Sequence, residues 1–351
     1  MTPRERWRAV LAGEKPDRTP ADFWGTAELT ARLLRDLECA DESALYARLG
    51  LDKCIHLVPG HPTVGKDDWH MPSHYKIWHI GTTLVSYGDG LGQYEEAVSH
   101  PLAEADSIAD LEQFDWPTAD IWDYSHLREQ CLQWPDNPIL CGSSEPFYLY
   151  CRLRGMERSL ADLIENPEFA EALLEHIYAV DSAVFKRILD EVGDLIDLVY
   201  VAEDLGTQQS LLMSPRLFRR FLKPRMAGLI DLAHSYGVKV MHHDDGAIRQ
   251  VIPDLIEAGV DILNPVQWGC TGMDREGLAR DFGDRLVFHG GVDNQQTLPF
   301  GTVDDVCREV AENIRAFKDT KGYIVAPCHH MQANTPTENI VALYRTVQEV
   351  G

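Results

Sequence analysis

The sequence predicts an α/β chain folded as a single (β/α)8 TIM barrel over residues 1–351, and three observations carry that expectation. The C-terminal half holds five short runs rich in Val, Ile and Leu, at residues 196–201, 238–242, 260–263, 285–288 and 322–326. None shows sustained polar–apolar alternation, which suits strands buried on both faces. Helical patterns separate them, and strands that alternate with helices build a parallel sheet. Three more strand candidates, at 19–24, 53–58 and 138–142, bring the number to eight, the count of a closed barrel. An open doubly wound sheet is the alternative, but no GxGxxG follows the first strand.

The helices between these strands follow from capping and periodicity. In chain order they are expected at 3–12, 27–37, 107–114, 124–134, 157–163 and 168–192. A further helix at 215–236 starts after the N-cap candidate Ser214, and one at 247–258 ends at Gly259. Pro253 lies inside the latter and is expected to kink or split it. Helices at 274–282, 303–318 and 337–350 complete the set, the first of them ending at Gly283. Residues 76–101 break this rhythm. Their Gly, Thr and Tyr content, with Tyr87-Gly88-Asp89-Gly90, reads as a β-hairpin inserted over the barrel mouth.

Composition narrows the function classes. The 351 residues carry 56 acidic and 32 basic side chains, a formal charge of -24. So acidic a surface repels phosphate backbones and anionic lipid, which argues against nucleic-acid and membrane partners. No apolar run approaches the roughly 18 residues that a membrane span requires. The N-terminal residues continue into an amphipathic helix and lack the apolar stretch of a secretion signal. Eight cysteines without paired spacing read as free thiols of a cytoplasmic protein.

Active sites of such barrels are built at the C-terminal ends of the strands. Here those ends carry Trp24, Glu145, Glu203 with Asp204, and the run His242-His243-Asp244-Asp245. Asn264, Gln267, His289, Asp293, Asn294, Cys328, His329 and His330 follow at the later strand ends. Imidazoles, carboxylates and a thiol converging on one mouth are the donor set of a divalent metal. Each residue alone has a plainer reading: a hydrogen-bonded structural His, an Asp helix cap, a buried thiol. Trp24, Trp268 and Tyr87 read as wall or core. The convergence of several strand ends is what favours a metal site.

At these residues the chain resembles the uroporphyrinogen decarboxylase superfamily. The resemblance rests on Pro16-Asp17-Arg18-Thr19-Pro20, Asp204-Leu205-Gly206-Thr207-Gln208 and the strand ending His243-Asp244-Asp245-Gly246. Its most specific part is Ala326-Pro327-Cys328-His329-His330-Met331 followed by Thr335-Pro336-Thr337-Glu338-Asn339. It covers nearly the whole chain and implies a (β/α)8 barrel. The superfamily contains cofactor-free porphyrinogen decarboxylases and zinc-dependent methyltransferases that work with corrinoid proteins. The decarboxylases carry an arginine-bearing motif after the first strand; here that stretch is Ala21-Asp22-Phe23-Trp24-Gly25-Thr26, with no arginine. The resemblance therefore leans to the methyltransferase branch, whose His-x-Cys motif and later Cys bind zinc.

The His of that motif falls on His243, its Cys on Asp245, and the later Cys on His329, with Cys328 adjacent. The implied metal ligands are thus His243, Asp245 and His329, with Cys328 as a further candidate and one position open to substrate or water. Zn2+ is the first choice, although His/Asp/His also suits Fe, Mn or Ni. Replacing thiolates by carboxylate and imidazole hardens the ion, which suits an oxygen-linked methyl donor. The expected activity is demethylation of a small O-methyl compound, with the methyl group passed to cobalamin on a separate corrinoid protein. Glu203, Asp204 and His289 are the expected catalytic side chains. Trp24, Tyr87, Glu145, Asn264, Gln267 and Asp293 are the expected substrate contacts. A homodimer is a reasonable expectation from the family. A metal-assisted lyase or decarboxylase, and a non-catalytic small-molecule or metal binder, are the competing readings.

Overall fold

The computed structural model describes residues 1–60, 76–88 and 90–351. Among them, seven strands form a curled, all-parallel sheet: β1 (Ile55–Leu57), β4 (Ile139–Ser144), β5 (Leu198–Ala202), β6 (Lys239–His243), β7 (Ile262–Asn264), β8 (Val287–Val292) and β9 (Gly322–Pro327), adjacent in that order. The remaining two, β2 (Gly81–Gly88) and β3 (Gly92–Ser99), form the antiparallel hairpin expected within 76–101. Asp89, part of the Tyr87-Gly88-Asp89-Gly90 run read from the sequence, lies outside the described residues.

The strand expected at 19–24 is reduced to single bridges, Ala21 to Val325 and Gly25 to Met331. Pro20 has no amide to give a ladder, and the Asp22 side chain takes up the Phe23 amide. The segment still lies between the sheet edges: the Asp22 amide donates to Val325 of β9, and the Asp52 amide, before β1, donates to Ala21.

Two helix expectations also change, both at prolines. The helix expected at 215–236 is two, Pro215–Phe221 and Lys223–Ser235, because Pro224 cannot donate to the preceding turn and takes the opening turn of the second. The helix expected at 247–258 starts only at Ile252, with Pro253 in its first turn. Helices Glu42–Leu49, Pro146–Arg154 and Thr297–Phe300 have no counterpart among the sequence expectations.

Strand alternation sorts the side chains into two layers. Leu140, Leu198, Met241, Ile262, Val287 and Ile324 meet inside the curl, with Trp7 of the first helix (Pro3–Ala12) packed among them. Val199, Val201, Val240, Leu263, Phe288 and Val325 face the surrounding helices. Burying each such side chain contributes about 1.5–3 kcal/mol.

The N-terminal edge of the sheet is tied by three aspartates. Asp52, Asp197 and Asp261 precede β1, β5 and β7, and each accepts an amide from the neighbouring strand or segment: Ala21, Ile139 and Val240. Each also meets cations: Asp52 pairs with Arg6 and Arg18, Asp197 with Arg4 and Arg8, and Asp261 with Lys239. At the opposite edge the hairpin reaches helix Pro146–Arg154 through the Glu96–Arg152 ion pair at 2.7 Å, and its Gly92 lies against Glu28 of helix Ala27–Asp36.

Candidate metal centre

His243 is the last residue of β6, and sheet register sets its surroundings. It pairs with Ala202 on β5 and with Asn264 on β7. Alternation puts it with Met241 on the inner face, whereas Val240 belongs to the helix-facing layer. His242 is fully buried, its Nδ1 bonded to the Val201 carbonyl. Burial pushes its pKa down to about 3, so it stays neutral.

The His243 Nδ1–H donates to Asn264 Oδ1 at 2.6 Å. Its Nε2 faces the mouth, 3.9 Å from Asp204 Oδ1 and 4.0 Å from Asp245 Oδ2. Those separations are too long for hydrogen bonds, and they leave the donors close enough to turn towards one shared cation. His329, just beyond β9, closes the group: its ring lies edge-on to His243 at 5.8 Å. Ligand atoms of His243, Asp245 and His329 all lie within 4.8 Å of one another. Burial disfavours a charged His243 ring, but Asp245, Asp204, the Asn264 hydrogen bond and Glu145 outweigh it and raise its pKa. The pocket therefore favours a cation at this point, which fits a divalent metal.

The spacing of the acids is imposed by the backbone. The loops after β5 and β6 press together at Gly206 and Gly246. A Cβ at Gly246, whose φ is +90°, would lie 2.6 Å from the Gly206 carbonyl carbon. One at Gly206 would lie 2.2 Å from the Asp245 carbonyl oxygen. Only glycine allows this approach, which sets Asp204 and Asp245 on either side of His243. Burial raises the pKa of Asp204 and, aided by Asp204, brings that of Glu145 up to about 7.

Behind His243 runs a buried hydrogen-bond chain. Asn264 Nδ2 meets His289 Nδ1 at 2.6 Å, and His289 Nε2 meets Asp22 Oδ2 at 3.1 Å. Asp22, Asn264 and His289 are all 0% exposed. Asp22 also accepts N–H groups from Phe23, Cys54 and the Trp24 indole, and Lys53 stands 3.8 Å away. Burial alone would raise its pKa, yet Lys53 and these hydrogen bonds hold it down at about 2.

The other expected residues fall into different places. Both Glu203 oxygens accept the Phe147 amide at the start of helix Pro146–Arg154, so its carboxyl serves that helix end. Asp293 accepts the amides of residues 295–297. The Cys328 thiol donates to the Val266 carbonyl and does not join the ligand group. His289 and Asn264 spend their ring and amide ends on each other and on their neighbours in the chain, which leaves neither to contact a substrate. Trp24 stacks on His243 at 5.9 Å and also packs near His289 and His330. Tyr87 lies on the hairpin, stacked on Tyr94. Gln267 accepts the Gly246 amide and lines a cavity of about 390 Å³ with Asp245 and His329. Asn294, Gln295, Gln332 and Asn334 complete the polar wall of that cavity, and among the described residues no Lys or Arg lines it. Asp22 escapes sequence reasoning. Its signal is an acid inside an apolar strand-like run, a position a charge holds only when it is partnered.

Comparison with known proteins agrees with this architecture. The family model for uroporphyrinogen decarboxylase (URO-D) matches residues 100–350. Curated uroporphyrinogen decarboxylases from two strains of Thermus thermophilus are each 28% identical over 145 residues. The match spans 40% of this chain but only 38% of theirs. A methyltransferase from Methanosarcina mazei superposes with a TM-score of 0.69 at 19% identity, over 99% of both chains. That likeness is one of fold.

Proposed function

The chain belongs to the uroporphyrinogen decarboxylase family, and from that premise we propose that it is a metal-dependent methyltransferase. In this reading it demethylates a small, uncharged O-methyl compound and delivers the methyl group to a separate corrinoid protein. The sheet is then read as a (β/α)8 barrel with residues 20–22 in the place of its first strand. The observation that carries the proposal is the triad His243, Asp245 and His329 beside a cavity walled by carboxamides, with no Lys or Arg among its described lining residues. A polyanionic porphyrinogen would meet Asp245 in that cavity and no arginine. A neutral oxygenated molecule would meet matching donors and acceptors.

His243 Nε2, Asp245 and His329 would hold the metal, and zinc suits this donor set. When bound it supplies Lewis acidity at the donor oxygen. The chain's own residues do the rest. Gln267, Gln332 and Asn334 orient the oxygens of the donor. Glu145, whose carboxyl holds its proton up to about pH 7, protonates the departing oxygen with Asp204 beside it. The Trp24 ring backs His243 and shields it from water. The methyl group leaves to reduced cobalamin on the partner, and the oxygen leaves as an alcohol.

The test is spectroscopic. Purified protein is mixed with a reduced corrinoid protein and a panel of methyl ethers, and alkylation of the corrinoid is followed by absorbance. Turnover should vanish on chelation and return with stoichiometric zinc. Methyl transfer that persists in metal-free protein would overturn the reading.

A further inference from the structure

The buried chain behind His243 has a direction, and that direction decides which nitrogen of His243 is available. Asp22 is the fixed end. Its Oδ1 accepts the Phe23 and Cys54 amides, and its Oδ2 accepts the Trp24 indole N–H at 2.9 Å. Lys53 adds a positive charge 3.8 Å from Oδ1. Groups of that kind select an ionised carboxylate, which can only accept. The His289 Nε2 that faces it must therefore carry a proton. The atom that faces the other ring nitrogen, Nδ1, is Asn264 Nδ2, an amide nitrogen that can only donate, so Nδ1 must accept and Nε2 alone carries the ring proton. The Asn264 carboxamide can then turn only Oδ1 to His243, whose Nδ1 must be the donor. Each link forces the next.

We propose that Asp22, His289 and Asn264 act as positioning residues that impose the Nδ1–H tautomer on His243 and so reserve its Nε2 as a metal ligand. The proposal rests on the metal-centre reading above. The reverse orientation of Asn264 would need protons on both His289 nitrogens and would leave His243 with Nε2–H, unable to ligate. The two arrangements therefore differ in an observable. The chain spans sequence positions 22 to 289 and links segments on three strands and the first strand-like stretch. All four members are at least nine-tenths buried, so water offers no alternative partner. Outer partners of this kind typically change metal affinity about 10- to 100-fold when removed.

The experiment uses full-length protein with 15N-labelled histidine. Two-bond 15N–1H correlation at pH 9, on metal-free protein, should show His243 protonated on Nδ1 and His289 on Nε2. Cobalt(II) binding is then measured by titration and by the ligand-field spectrum. His289→Gln keeps an acceptor for Asn264 and a donor for Asp22, so it should retain the His243 tautomer and near wild-type cobalt affinity. His289→Leu breaks the chain and should bind cobalt about 10- to 100-fold more weakly, with a mixture of His243 tautomers. Asp22→Asn, if it folds, should mix the tautomers of both rings. Wild-type His243 carrying its proton on Nε2 would overturn the proposal, as would cobalt affinity and spectrum unchanged in His289→Leu. Tautomers are read without metal, so their failure is separate from a failure to bind metal or to transfer methyl groups.

Discussion

The two edges of the sheet use the same residue type to opposite ends. At the N-terminal edge, Asp52, Asp197 and Asp261 are each buried, tied to a neighbouring strand's amide and matched by Arg or Lys. At the C-terminal edge, Glu145, Asp204 and Asp245 surround His243 with no Arg or Lys paired to them among the described residues. Paired acids hold strands in register. Unpaired acids crowded around an imidazole create a demand for a cation. The lesson is that the partner of a carboxylate, more than its burial, separates a structural acid from a functional one.

The sharpest way to break this contrast is to exchange one residue from each edge. His243→Ala should abolish metal binding and methyl transfer while leaving the denaturant midpoint of metal-free protein near wild type. Asp52→Ala should do the reverse. Loss of one partner from such a buried network costs about 3–5 kcal/mol, and the folded fraction should still take up metal. Measured metal content against unfolding free energy places both variants. If Asp52→Ala lost metal without losing stability, the division between the edges would fail.

A second, smaller effect concerns Glu145. Its carboxyl titrates near pH 7 because burial and Asp204 oppose its charge. In the proposed mechanism it holds a proton for the departing oxygen below that pH and has lost it above, so turnover should fall as pH rises through about 7. Glu145→Gln should lower turnover about 100-fold and flatten that limb of the profile. An unchanged limb would move the role to another acid.

A further effect, on stability and not on turnover, lies just behind the mouth. Asp181 accepts the Ser144 hydroxyl at 2.5 Å, and burial raises its pKa to about 7. Since this exceeds its ordinary unfolded value of about 3.9, its favourable contribution is complete below pH 4 and is lost as pH rises through 7. Asp181→Asn should therefore gain stability relative to wild type between pH 4 and pH 8, a trend that urea midpoints would show. A constant difference across that range would mean that Asp181 is charged in the native protein.

How much of this is legible in the sequence depends on whether the signal is local. The strand runs through Val199, Val240 and Val287 announce themselves by composition, because both of their faces are buried. The convergence of His243, Asp245 and His329 is readable from resemblance and strand-end position. The strand expected at 19–24 misleads because its apolar pattern hides Pro20 and a side chain, Asp22, that turns back on its own backbone. Glu203, Asp293 and Asn264 look alike as polar strand-end residues. Only register and helix position make the first two caps and the third a bridge between two imidazoles. Proline placement is the underused local signal: Pro146 and Pro224 each open a helix.

The meeting of Gly206 and Gly246 carries one last consequence. Because two loops touch backbone to backbone there, the gap between the side chains at 204 and 245 is a property of the main chain and not of those side chains. Ligand identity and ligand spacing are thus separable traits. If Asp245 is a metal ligand as proposed, changing it to a softer donor would alter which ion the site prefers while the aperture stays the same width. A methyl group added at Gly246 would wedge the loops apart and change the aperture while every donor stays in place. For anyone redesigning this centre, the two glycines are the dimension and Asp245 is the chemistry.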